Sequence, residues 1–296
     1  ADLQGPGHGE LVKTQSGEWY LSYHVYELNY ETLGRQTCLE AVKWSEDGWW
    51  RPANGKIPPT SILKPDLPER NYTLQESDDF NNDELGLQWF FHTRPDYSGE
   101  AWSLSEREGF LRIRSSKKPA ELTEKLERFF LQRMTRKEFS ITTKLQFVPE
   151  SDAMAGLLLY NDPQNYVLFG VTSSEDSIAV EVRTRFGIFD YSADFFKRES
   201  SKGVDKIFAK IIEKPSDAYY LKINIVDPET AYFYFSADGD KWTEVKGLAP
   251  MFIGKGGIPD LGWKCGRWTG AAMGVFFLNY SEDSNAFADF DNFIVE

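Results

Sequence analysis

Two cysteines are all that this 296-residue chain carries, and Cys38 and Cys265 stand more than two hundred residues apart. They make neither a disulfide framework nor the paired spacing of a zinc site, and both read as buried free thiols. Long apolar runs are also missing. No segment approaches the ~18 uninterrupted apolar residues of a membrane-crossing helix, so no membrane partner is expected. Positive charge is scarce: 33 Lys and Arg against 46 Asp and Glu leave a formal net charge of −13. Nucleic acid demands a basic surface and is therefore excluded as a partner. Amphipathic helical repeats are few, and only residues 120–130 have room for a turn or two of helix. No leader segment is visible. The chain opens on Ala1 rather than Met, so the compartment of its parent stays open.

What is present is a core and many aromatics. Hydrophobic residues make up 41% of the chain and aromatics 15%, with 9 Trp and 14 Tyr. Aromatics favour strands, which points to a β-rich core. The sharper reading is that some are flat platforms for a ligand with apolar faces, such as a sugar ring. Residues 1–52 read as short strands: Leu11 to Thr14, Trp19 to Val25, Thr37 to Val42 and Trp49 to Arg51. Gln15-Ser16-Gly17 and Glu46-Asp47-Gly48 put glycine where a hairpin needs a positive φ. Such a small sheet cannot bury both faces alone, so it predicts one blade of a larger body.

Residues 53–76 carry Pro58, Pro59, Pro65 and Pro68 and read as a linker. From residue 77 to 296 strand patterns dominate. They include Phe110–Arg114, Phe139–Phe147, Ala155–Tyr160, Tyr166–Val171, Ile178–Thr184, Tyr219–Val226, Ala231–Ser236, Ala271–Asn279 and Ala288–Ile294. Their number and spacing predict an all-β chain with a two-sheet antiparallel β-sandwich.

Three sets of motifs carry a resemblance. Gly5-Pro6-Gly7-His8-Gly9-Glu10, Glu18-Trp19-Tyr20, Leu33-Gly34-Arg35-Gln36-Thr37 and Trp44-Ser45-Glu46-Asp47-Gly48-Trp49 resemble the last part of the five-bladed β-propeller of glycoside hydrolase family 43. Asp78-Asp79-Phe80 and Leu85-Gly86-Leu87-Gln88-Trp89 resemble the start of the concanavalin-like sandwich that follows that propeller in β-xylosidases and α-L-arabinofuranosidases. Arg267-Trp268-Thr269-Gly270-Ala271 and Ala288-Asp289-Phe290-Asp291-Asn292-Phe293 look like its closing segments. The resemblance implies a part of an exo-acting enzyme that removes terminal xylose or arabinose from hemicellulose oligosaccharides, with inversion. It implies xylo- or arabino-oligosaccharide as partner, together with upstream propeller blades from the same protein or a second chain. No cofactor is required, and a structural calcium at the propeller centre is implied.

Inversion uses a carboxylate base and a carboxylic acid roughly 6.5–9.5 Å apart with water between them. The family draws these from earlier blades, so no catalytic residue is expected in this chain. Glu10, Glu18, Glu27, Glu31, Glu40, Glu46 and Asp47 read as surface or rim acids. Pocket lining is what the chain can supply. His8 matches a histidine at the propeller axis, near a calcium or its waters, and its flanking glycines allow a close backbone approach. Arg35 matches an arginine that reaches the sugar, its planar fork of donors suiting two adjacent hydroxyls. Strand alternation puts Tyr23 and Val25 on one face and His24 and Tyr26 on the other, with the second pair preferred as the lining. Trp268, ahead of Trp263, matches an aromatic from a sandwich loop that closes the pocket; the alternative for each is a core position. A non-catalytic carbohydrate-binding or structural sandwich is the competing reading of the whole chain.

Overall fold

The computed structural model describes residues 2–28, 30–55, 59–92, 99–115, 128–149, 153–162, 165–174, 177–186, 205–212, 216–226, 230–245, 251–252, 270–279 and 285–296. They form three antiparallel sheets and a short 3-10 turn, Glu31–Leu33.

The first sheet is four-stranded, in the order β1 (Leu3–Lys13), β2 (Trp19–Glu27), β3 (Gln36–Trp44) and β4 (Trp50–Pro52). Gly17 (φ 94°) turns the first hairpin and Gly48 (φ 80°) the last, a conformation that costs glycine nothing. Asp47 fixes the second turn, its Oδ1 accepting from the Ser45 hydroxyl and, at 3.1 Å, from the Trp49 amide.

β1 begins at Leu3 rather than at Leu11, so the glycine run belongs to the strand. Its register with β2 passes from Gln4↔Tyr26 to Gly7↔His24 to Glu10↔Ser22. Each step spends three residues on β1 against two on β2, so there are two bulges. Gly5 (φ 57°) and His8 (φ 54°) hold the left-handed conformations within them. Bulges of this kind re-aim side chains and keep the ladder going.

The other two sheets form the sandwich. One runs β12 (Asp205–Ile212), β11 (Ser177–Phe186), β10 (Asn165–Ser174), β9 (Ala153–Asp162), β17 (Ala272–Asn279) and β7 (Phe129–Arg133). The other runs β15 (Thr243–Glu244), β14 (Thr230–Ser236), β13 (Tyr219–Val226), β8 (Phe139–Phe147), β18 (Phe287–Phe290), β6 (Leu111–Arg114) and β5 (Trp102–Ser103). To it β16 (Met251–Phe252) adds on β14 and β19 (Ile294–Val295) on β8.

Alternation builds the core. Phe139, Ile141, Leu145 and Phe147 of β8 face the same interior as Leu221, Ile223 and Ile225 of β13. Against them pack Leu157 and Leu159 of β9, Phe169 of β10 and Val275 and Phe277 of β17. Four strands of the six-stranded sheet, β7, β9, β10 and β17, are buried on the second face too, where Phe129, Leu158, Tyr166 and Phe276 cluster. That double burial explains why β9 and β17 read as unbroken apolar runs.

Two expectations need correction here. Phe129 and Phe130 open β7, a strand, although residues 120–130 read as helical; residues 120–127 lie outside the described residues. A short apolar run carries no period that separates the two structures. The closing strand is two strands, because Asn292 breaks the ladder. Its carbonyl accepts from Thr143 Oγ1 at 2.6 Å and its side-chain oxygen from the Lys144 amide at 3.2 Å.

Asp78 ties the start of the sandwich to its end. It exchanges backbone hydrogen bonds with Phe293, while its carboxylate accepts from Trp89 Nε1 at 2.6 Å and from the Phe80 amide at 2.9 Å.

Candidate functional site

The four blade residues singled out in the sequence come together. Tyr23 and Val25 are the buried face of β2, at 6% and 0% exposure. His24 and Tyr26 take the opposite, half-buried face. Both lie across the glycines of β1. A Cβ on Gly7 would stand 3.4 Å from Cε1 and Nε2 of His24, and one on Gly5 would stand 3.5 Å from the Tyr26 ring. The glycines therefore make a flat bed for the two rings. His8 joins them from the second bulge, its ring centroid 6.4 Å from that of His24. A left-handed conformation at a residue with a side chain is strained and tends to mark functional positions.

Arg35 comes from the β2–β3 connection, directly after Gly34 (φ 65°) and before β3 opens at Gln36. It is exposed. Its charge reaches His24: loss of water first, then the Arg35 guanidinium, then His8, hold the His24 imidazole below its ordinary pKa. A neutral imidazole with one nitrogen free to accept, a phenol and a guanidinium form a set of donors and acceptors suited to hydroxyl groups.

The connection is also where the sandwich touches the blade. Ala271 donates its amide to the Thr32 carbonyl at 2.6 Å. Lys137 pairs with Glu27 and sits 4.0 Å from the centre of the Tyr30 ring. Neither Lys137 nor Gly270 stands out by pattern as a joint residue. The one sequence signal was the Thr269-Gly270-Ala271 run, in which glycine precedes a strand.

Three acids of the blade are engaged elsewhere. Glu18 accepts from Ser16, Glu27 pairs with Lys137 and Asp47 pairs with Arg51. Glu40 is not the rim acid expected: it is 3% exposed, on the face of Tyr23. Its Oε2 accepts from the Tyr23 hydroxyl at 3.5 Å, and its Oε1 is buried with no hydrogen-bond partner. Burial pushes its carboxyl up, against the pull of Tyr23 and the Asn54 amide. Burial and then the Glu40 charge push the Tyr23 hydroxyl up to about 12. Cys38 is half-buried rather than buried, and its thiol is also raised, by burial and then by Glu40, which makes it a poor nucleophile.

A testable pH dependence follows from Glu40. An acid whose folded pKa is raised holds its proton to higher pH when folded than when unfolded. Stability therefore falls as pH rises from the ordinary glutamate range through the raised value, and the deficit persists above it. Glu40→Gln is expected to stabilise the chain at pH 7 by on the order of 1 kcal/mol, with the gain vanishing in acid. Thermal melts between pH 4 and pH 8 check this. A lower Tm for the variant at pH 7 would show that the carboxylate's hydrogen bonds outweigh its burial.

Trp268, Trp263 and Cys265 lie outside the described residues. Among the described residues no group of three or more His, Cys, Asp or Glu is placed to hold a metal ion. His8 and His24 offer nitrogen, whereas calcium takes oxygen ligands. They do not fit a direct calcium site. Also among the described residues, no helix is long and apolar enough to cross a membrane.

A blade packed on a two-sheet sandwich, with a polar and aromatic bed facing out of the blade, defines a two-part all-β protein. The model of the β-xylosidase C-terminal concanavalin A-like domain matches residues 77–296, and that of glycosyl hydrolases family 43 matches residues 1–50. The chain belongs to the β-xylosidase C-terminal concanavalin A-like family, joined to a segment of a family 43 glycosyl hydrolase domain. A xylan 1,3-β-xylosidase of a Vibrio species is 27% identical over 99% of this chain and 54% of its own length. The non-reducing end α-L-arabinofuranosidase BoGH43B of Bacteroides ovatus is 31% identical over 55% of this chain and 31% of its own length. The crystal structure of a xylan β-1,4-xylosidase from Bacillus halodurans superposes with a TM-score of 0.82 at 31% identity, covering all of this chain and 54% of that one. The chain thus spans about half the length of the relatives it matches along its whole extent.

Proposed function

We propose that this chain is the C-terminal portion of an exo-acting glycoside hydrolase that removes terminal xylose or arabinose from hemicellulose oligosaccharides with inversion. Residues 1–52 close a five-bladed propeller, 53–76 link, and 77–296 form the accessory sandwich. The observation that carries this is the convergence of His8, His24, Tyr26 and Arg35 on one face of the blade. They serve as one wall of a sugar pocket. Trp268, two residues ahead of Gly270 in the sequence, supplies the aromatic on the sandwich side. Relatives named as xylosidases and an arabinofuranosidase support the substrate class.

The chemistry needs two carboxyl groups across the scissile bond, with room for water between them. Glu18, Glu27, Glu40 and Asp47 each have a structural partner, which supports catalytic carboxylates on blades outside this chain. No step is routed through a metal. A calcium at the propeller centre would meet His8 only through water.

Assays with aryl β-xyloside and aryl α-arabinofuranoside test the proposal. The complete enzyme, this chain joined to its upstream blades, is expected to release the aryl group, and the isolated chain is not. Robust turnover by the isolated chain would overturn the placement of the carboxylates. An inactive complete enzyme that binds xylan oligosaccharides in calorimetry would establish the carbohydrate-binding reading instead.

A further inference from the structure

The turn that delivers Arg35 is gripped by the sandwich at both ends. At its entrance, Lys137 meets the Glu27 carboxylate and the Tyr30 ring. At its exit, the contact is backbone on backbone. Gly270 has φ +69°, and a Cβ there would stand 2.6 Å from the Thr32 carbonyl oxygen, 2.8 Å from the Gly34 nitrogen and 2.8 Å from the Leu33 carbonyl carbon. Real Cβ atoms do not approach backbone that closely, and the conformation itself favours glycine. The next residue, Ala271, donates to Thr32 and accepts from the Met134 amide at 3.2 Å. An unbroken path of backbone contacts therefore runs from β7 through Ala271 to Thr32, one turn from Arg35. The turn has little slack of its own. Thr32 is 6% exposed, Leu33 donates its amide back to Tyr30 at 3.3 Å, and Gly34 is itself left-handed.

We propose that Gly270 and Lys137 are positioning residues: the sandwich sets the place of the Glu31–Leu33 turn, and through it the Arg35 guanidinium. This rests on the reading of Arg35 as a sugar-contacting residue. It gives the sandwich a second role in the pocket besides Trp268, exerted through backbone contacts on the Arg35 turn. A misplacement of about 1 Å, transmitted from a site away from the chemistry, is enough to cost up to ~100-fold in rate.

The test compares Gly270→Ala, Lys137→Met, Lys137→Arg, Arg35→Ala and the double variant Gly270→Ala/Arg35→Ala in the complete enzyme. An aryl glycoside is the substrate and thermal melts run in parallel. Gly270→Ala is expected to lower kcat/KM roughly 10- to 100-fold and to add no further loss to Arg35→Ala, because coupled positions are not additive. Lys137→Met is expected to cost several-fold, with Lys137→Arg restoring most of it. A second readout needs no turnover. In NMR titrations of the 296-residue chain, His24 should titrate higher in Gly270→Ala, as in Arg35→Ala, because the guanidinium has moved away.

Losses that multiply in the double variant, or a His24 titration unchanged in Gly270→Ala, would overturn the proposal. An Arg35→Ala enzyme with unchanged kcat/KM would sink the reading of Arg35 instead, while the His24 titration still decides whether Gly270 places that residue. If Gly270→Ala does not fold, the Lys137 pair decides: equal activity of Lys137→Met and wild type overturns the grip.

Discussion

Replacing Arg35 by alanine is expected to lower kcat/KM of the complete enzyme by about 2–4 kcal/mol, roughly 30- to 900-fold. The guanidinium is a charged donor with a rigid fork, and a hydrogen bond to a charged group contributes more than a neutral one. Inside a closed pocket the sugar hydroxyls facing Arg35 would lose water as well as their partner. Stability should hardly change, because the residue is exposed and substitutions at such positions usually stay within about 0.5 kcal/mol. Arg35→Lys is expected to recover little, since an ammonium cannot address two adjacent hydroxyls through a planar fork. If the loss falls on KM with kcat unchanged, Arg35 binds ground and transition state alike; a loss in kcat assigns it to the transition state. An unchanged kcat/KM would place Arg35 outside the sugar subsite.

The second large effect is on stability. Phe130→Ala is expected to destabilise the chain by about 3–5 kcal/mol. Phe130 has no exposed surface. It stands edge-on to three rings, with centroids at 4.9 Å for Phe91, 5.7 Å for Trp102 and 6.4 Å for Trp89. These rings come from one stretch ahead of β7, residues 89–102, and meet over β7, an edge strand held by β17 through Val275↔Phe130. The cavity left by alanine has walls fixed by sheet hydrogen bonds, so little collapse can offset it. Guanidinium unfolding followed by tryptophan fluorescence measures the loss. A change below about 1 kcal/mol would mean that the aromatic cluster repacks.

The residues that stabilise this core were partly visible as pattern. Phe139–Phe147 and Tyr219–Val226 match the observed strands residue for residue, because one face of each is buried and alternation is strong. β12 left no signal in the sequence pattern, and the first two residues of β7 read as helix, because a strand buried on both faces has no polar alternation to mark it. The division of β2 into a Tyr23/Val25 face and a His24/Tyr26 face followed from period two alone.

Glycine shows where local inference stopped. Gly17 and Gly48 were legible as turn residues, since their role is local. Gly5 and Gly7 lie ahead of the strand start read at Leu11, yet they are strand residues that make room for rings on the neighbouring strand. Gly270 is required by a backbone more than two hundred residues away.

The chain's sequence by itself determined the all-β class, the hairpin turns, the sandwich and the division of β2 into two faces, because these rest on period, propensity and turn chemistry over a few residues. Tertiary structure alone decided that the glycine run is a bulged strand under two rings, that Glu40 is buried, and that the sandwich grips the Arg35 turn. Each of these depends on which distant backbone comes within a few ångströms, and no short-range pattern encodes that.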